Sequence, residues 1–184
     1  MNLLIIDIQE LTYTEQNCLD AHNHYRAKHG VPPLRWNKTL ALAALKWANH
    51  LLHKEQNLVH DTKTMLRDHQ GENLGKYVTN PVIPLCRKTD DPVTYCKNCW
   101  DMVKLWYDEI KYYDFTKGDG NGKGAFLHFT QVIWKETTQL GVATVSGKQE
   151  LIFVARYYLA GNFGTPKDYK RNVPPLVTTA SKGT

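Results

Sequence analysis

The chain has 184 residues, 42% of them hydrophobic, which suits one compact domain with a substantial core and argues against two domains or a disordered polymer. Its net charge of +5 comes from 23 basic and 18 acidic residues spread along the sequence. There is no basic stripe on one helix and no interleaving of aromatics with arginine, so nucleic-acid binding is not expected and acidic partners are favoured only weakly. No apolar stretch is long enough to cross a bilayer, the longest being runs such as Leu151-Ile-Phe-Val-Ala155, so any membrane contact is expected to be peripheral.

The opening run Met1-Asn-Leu-Leu-Ile-Ile6 is cut short by Asp7, too early for a secretory h-region, and no glycine follows Met1 to carry a myristoyl anchor. Thr14 is a candidate N-cap for a first helix, in which Leu19, His22, Tyr25 and Arg26 recur at helical spacing until Gly30 and Pro32-Pro33. A second helix starts near Asn37 or Lys38, with Leu40, Ala44, Trp47, Ala48, Leu51 and Leu52 as its apolar stripe. Residues 75 to 98 combine glycine, Pro81, Pro84, Pro92 and two of the four cysteines, and read as an irregular, disulfide-held excursion. Trp100, Val103, Trp106, Tyr107 and Ile110 mark a third amphipathic helix.

The stretch Thr116 to Gly124 alternates glycine with polar residues between Phe115 and Phe126 and reads as a hinge-like surface loop. A short helix is expected from Phe126 to Trp134. Gly141–Val145 and Glu150–Tyr158, separated by a turn at Ser146-Gly147, are expected to pair as strands, and the tail from Asn172 to be irregular. Helices early and strands late, without βαβ repeats, indicate an α+β architecture.

Cys18, Cys86, Cys96 and Cys99 are an even set compatible with two disulfides. Cys96-x-x-Cys99 also has the spacing of half a zinc site or a redox pair, but no second pair completes a zinc pattern and no thioredoxin-like strand precedes it, which favours a structural disulfide. Asn37-Lys-Thr39 is a glycosylation sequon. His22 and Arg26, four apart, share a helix face that reads as solvated or partly buried. His50 and His53 read as a solvated face, with no carboxylate partner evident beside them. The glycine-rich loop is neither a phosphate loop, since Ala125 and Phe126 follow Gly124, nor a calcium loop, since the acidic ligands and closing Glu are missing. No Gly-x-Ser-x-Gly or His-Glu-x-x-His occurs. His60, Glu72, Glu109 and His128 are ionisable groups that spacing alone does not unite.

Four segments resemble the motifs of the CAP superfamily of cysteine-rich secretory, antigen 5 and pathogenesis-related-1 proteins and the venom allergen-like proteins of worms. They are Ala21-His-Asn-His-Tyr-Arg26, Gly71-Glu-Asn-Leu74, His128-Phe-Thr-Gln-Val-Ile-Trp134, and Phe153-Val-Ala-Arg-Tyr157 running into Gly161-Asn-Phe163. The resemblance spans about residues 14 to 175 and implies one domain over 1–184 with a three-layer α-β-α sandwich. It implies a central cavity where His60 and His128 bind a divalent cation, zinc or magnesium, with Glu72 and Glu109 as nearby acceptors. It also implies a lipid ligand, a sterol taken by the loop carrying Tyr113, Phe115 and Phe126, or a fatty acid taken between two helices. Those aromatics could equally anchor the loop to the core.

Ala155 stands where secreted members carry a cysteine. This feature, with Lys28-His-Gly-Val-Pro-Pro-Leu34, resembles the Golgi-associated, plant-pathogenesis-related branch, which is not exported. The four cysteines suit a secreted, mature worm-type chain, and an extracellular location is the expectation, with a peripheral Golgi location as the alternative. The function so implied is a non-enzymatic lipid carrier, with an anionic lipid surface or a receptor as a further partner. A metal-assisted hydrolase and a receptor-binding, immune-modulating ligand are the competing readings.

Overall fold

In the computed structural model, the described residues are 11–55, 57–81, 83–88 and 96–177. The opening apolar run, Pro92 and the last seven residues lie outside them. Helix α1 (Tyr13–Lys28) starts two residues earlier than Thr14 suggested. Thr12 is its N-cap, and the Glu15 carboxylate returns a bond to the Thr12 backbone in a capping box. A two-residue strand β1 (Arg35–Trp36) leads into α2 (Lys38–Lys54), capped by Asn37, whose side-chain oxygen accepts from the Thr39 and Leu40 amides. The Asn37 side-chain amide also donates to Gln139, so the sequon asparagine is engaged in the fold.

Next come α3 (Thr62–Asp68) and β2 (Gly71–Val78), both hidden in the sequence, and then α4 (Cys99–Tyr107), continued by a 3-10 turn, Asp108–Tyr112. The short strands β3 (Tyr113–Asp114) and β4 (Asp119–Gly120) pair within the glycine-rich region. Helix α5 (Leu127–Ile133), strands β5 (Gln139–Ser146) and β6 (Glu150–Tyr158), and α6 (Pro166–Asn172) complete the chain. The tail expectation holds only beyond α6, which opens with proline at its start and a Thr165–Asp168 capping box.

The sheet runs β1-β5-β6-β2, antiparallel except for the parallel β1–β5 pair. Alternation along β6 assigns its two faces. Ile152 and Val154 join Leu74 and the α2 residues Ala44, Ala48 and Leu51 in one cluster. Leu151, Phe153, Ala155 and Tyr157 join residues of α1, α4 and α5 in the other. The sandwich is therefore α2 on one face and α1, α4 and α5 on the other, the three-layer arrangement expected. At Gly141 an added Cβ would lie 2.1 Å from the Ala41 backbone nitrogen, so the missing side chain is what lets α2 approach β5 so closely.

Disulfides join Cys18 to Cys99, pinning α1 to α4, and Cys86 to Cys96 within the excursion after β2. Cys96 and Cys99 are thus not bonded to each other. His22 and Arg26 are fully buried, a correction to the solvated face. The His22 ring lies between the Cys18 carbonyl and the Tyr157 hydroxyl, and the Arg26 guanidinium donates to the carbonyls of Pro32, Val132, Trp134 and Thr137. His50 stacks on Trp47 and pairs with Glu55 at 3.0 Å, a carboxylate five residues along that helical spacing did not offer.

Candidate functional site

A cleft of about 460 Å3 opens at the edge strand β2, lined by His60, Glu72, Asn73, Phe126, His128 and Gln131 among others. Successive residues of a strand point to opposite faces. Because Glu72 and Asn73 both line it, the cleft wraps round the exposed edge of the sheet and gathers groups from both layers.

On the α2 face, Glu72 sits directly opposite Arg156 in the β2–β6 register, and their side chains pair at 2.9 Å with no exposure of either. The other Glu72 oxygen accepts from His60 Nδ1 at 2.7 Å and from the Asp61 amide at 3.2 Å. Arg156 also reaches Asp61 at 2.9 Å. Burial pushes the Asp61 carboxyl upward, but its hydrogen bonds from Thr64 and Arg156 outweigh this and hold its pKa below the usual value. Glu72 Oε2 has no directed hydrogen bond although it lies 2.9 Å from Arg156 Nη2, so the contact is an ion pair of poor angular geometry.

On the other face, Glu109 receives both His128 Nδ1 at 2.7 Å and the His128 backbone amide at 3.0 Å. The Trp106 ring stacks on the His128 ring, 6.1 Å between centroids, and is itself held by a bond from its indole nitrogen to the Leu74 carbonyl. Asn73 donates to the His128 carbonyl at 3.1 Å. Each carboxylate accepts, so the Nδ1 of each ring is the donor in its pair.

His60 and His128 are therefore in one cleft, each oriented by its own glutamate, and the sequence-stated foursome divides into two pairs. Among the described residues, no group of three or more His, Cys, Asp or Glu is placed to hold a metal ion. Tyr113 and Phe115 lie elsewhere: Tyr113 is buried, with its ring 4.9 Å from Phe115 and 5.9 Å from Phe129, while Phe115 packs against the same core. Phe126 alone of the three lines the cleft, crossing Gly120 so closely that a Cβ there would be 2.6 Å from its ring. The glycine-rich segment is tied down by Asn121, whose amides donate to Tyr112 and Lys111 carbonyls, and is less of a hinge than its composition suggests. Motif reading gave no site role to Asn73 and Arg156, although both lie within the quoted motifs, nor to Asp61 and Trp106. The signal for Arg156 was available as the one charge inside the apolar run from Leu151 to Tyr158, since a buried charge requires a partner.

The family model for the cysteine-rich secretory protein family (CAP) matches residues 19–159. The chain belongs to the CAP family. It is 35% identical over 159 residues to Golgi-associated plant pathogenesis-related protein 1 of Homo sapiens, covering 85% of this chain and 90% of that protein. Among solved structures, venom allergen-like protein 4 of Schistosoma mansoni superposes with a TM-score of 0.56 at 22% identity, over 80% of this CAP chain and 88% of that one. NaASP2, solved with Zn2+, superposes with a TM-score of 0.55 at 18% identity, over 85% of each chain. Both structures share the sandwich. No helix of the described residues is long and apolar enough to cross a membrane.

Proposed function

We propose that this CAP protein is an extracellular, non-enzymatic carrier of a sterol or fatty acid whose cleft also binds a divalent cation. The observation that carries the reading is the matched pair of imidazoles, His60 on Glu72 and His128 on Glu109, facing one cleft. A carboxylate on Nδ1 fixes the ring and raises the basicity of Nε2, the arrangement by which proteins prepare histidine for a metal. Nitrogen donors of this kind favour zinc over magnesium, which seeks oxygen ligands. Two imidazoles with solvent filling the remaining positions fit a zinc ion that is held weakly and exchanges freely. The bound ion would supply a positive charge in the cleft, and His60 and His128 are the residues that would hold it.

Export is supported by the two disulfides, which persist in oxidising compartments. The lipid half is supported by the cleft itself, which is bordered by Phe126 and Leu127 and falls within the volume range of small-molecule sites. Calorimetric titration with Zn2+ is expected to show one saturable event, absent in His60→Ala and His128→Ala, with no comparable binding of Mg2+. A wild-type protein that takes up no Zn2+ overturns the cation half. Titration with labelled sterol and labelled fatty acid tests the lipid half, which fails if neither saturates.

A further inference from the structure

The two histidines of the cleft are held in different ways. His128 lies within α5, its ring stacked by Trp106, and its Nδ1 and backbone amide both donate to Glu109. His60 stands between α2 and α3, outside any helix or strand, with 48% of its side chain exposed. Helix α3, which follows it, buries none of its own residues. A short helix draws its stability from packing an apolar face, so something else must fix this stretch on the sheet.

One guanidinium does so. Arg156, fully buried on β6, places Nη2 2.9 Å from both Asp61 Oδ2 and Glu72 Oε2, and its Nη1 donates to Gln70 Oε1 at 3.5 Å. Asp61 follows His60 and is the N-cap of α3, and Gln70 follows the C-cap His69. Both ends of the helix are thus tied to the same side chain. The two oxygens of Glu72 divide their work: Oε2 faces Arg156, and Oε1 accepts from His60 Nδ1 and the Asp61 amide. A carboxylate without exposure needs a counter-charge beside it, and the setting of Glu72 is what aims the His60 ring. The contacts that hold His128 come instead from Glu109, Trp106 and Asn73.

We infer that Arg156 is the positioning residue of the cation cleft: through Glu72 and Asp61 it holds His60 in place as the second imidazole, without touching the ion. This rests on the cation reading above and names the buried group on which half of that site depends.

The test titrates Zn2+ calorimetrically into the full chain and its variants. Arg156→Met is expected to weaken binding about 10–100-fold, the range for a residue that orients a metal ligand from behind. Arg156→Lys, which restores the charge, should lie between Arg156→Met and wild type. If Arg156→Met does not fold, Asp61→Asn serves in its place: it keeps a capping side chain on α3, weakens the tie to Arg156, and is expected to cost about tenfold in Zn2+ affinity. The paired Cys86→Ala, Cys96→Ala variant loses a bridge that lies beyond the far end of β2 from Glu72. It is expected to be less stable yet to bind Zn2+ as wild type does. A proton–nitrogen correlation spectrum of the imidazoles, taken without metal, supplies a readout that lost stability alone would not move. In Arg156→Lys the His60 ring signals should shift and those of His128 should stay. Unchanged Zn2+ affinity in the Arg156 and Asp61 variants, equal shifts of both rings, or an equal loss of affinity in the cysteine variant overturns the positioning role while leaving the cation reading standing. A wild-type chain that takes up no Zn2+ overturns both.

Discussion

Arg156 carries its charge without access to solvent, opposite Glu72 across β2 and β6 and within 2.9 Å of Asp61. Removing it leaves the buried Glu72 carboxylate without its counter-charge and takes the guanidinium away from the partly exposed Asp61, and breaking a buried pair in this way costs about 3–5 kcal/mol. Arg156→Met is therefore expected to lose stability on that scale in urea unfolding. Arg156→Lys, which keeps the charge but reaches fewer acceptors, should lose less. If Arg156→Met is as stable as wild type, the ion-pair cluster is not what holds this end of the sheet. At this scale the sequence was legible where a residue belonged to a motif with a stated role, as for Glu72 and His128. It was not legible for His22 and Arg26, because a pair at i and i+4 looks the same whether the helix face meets water or, as here, meets β6 and the carbonyls around α5.

Helix α2 and strand β5 meet at Gly141, where a Cβ would overlap backbone atoms of Ala41 and Leu40 at 2.1 and 2.5 Å. Backbone cannot step aside as a side-chain tip can, so Gly141→Ala must push the helix off the sheet. Overpacking of this kind costs about 1–3 kcal/mol or more. At Gly122, where φ is +78° and nothing lies within 4 Å, the same substitution meets only left-handed backbone strain of about 1 kcal/mol, and comparing the two melting temperatures separates packing from conformation. The two disulfides differ similarly. Cys18–Cys99 closes 81 residues and Cys86–Cys96 only 10, so in the chain-entropy account the Cys18→Ala, Cys99→Ala pair costs about 4–5 kcal/mol and the other pair about 2–3. Denaturant unfolding of the two double variants is expected to show that order. The long helices α1, α2 and α4 and the strands β5 and β6 were readable from periodicity. Strand β2 was not, because Gly71 and Gly75 weaken its β signal and Asn73 faces the site instead of the core. Helix α3 escaped for a related reason: it buries none of its residues and has no apolar stripe to announce it.

Across the whole molecule, two buried histidines, His22 of α1 and His29 at its C-cap, tie that helix to distant parts of the chain. His22 donates from Nδ1 to the Cys18 carbonyl at 2.7 Å and accepts from the β6 Tyr157 hydroxyl at 2.9 Å. His29 contacts the Pro174 carbonyl at 2.7 Å and the Tyr107 hydroxyl of α4 at 2.9 Å. Burial lowers the pKa of His22 from 6.5 to about 4 and lowers that of His29 as well. Both groups are therefore neutral in the fold at pH values where the unfolded chain has already taken up a proton. The stability this represents is present in full above about pH 6.5 and is lost as pH falls towards the folded values. For His22, the interval from 6.5 to about 4 corresponds to about 3 kcal/mol at about 1.4 kcal/mol per unit. The depressed Asp61 carboxyl adds a loss of the same sign at lower pH. Unfolding free energies measured from pH 7.5 down to pH 4.5 should fall accordingly. His22→Asn is expected to be less stable than wild type at pH 7.5, yet to lose about 2–3 kcal/mol less over the descent, because its side chain has no proton to gain. Equal losses in the two proteins would show that α1 is not held by a neutral imidazole.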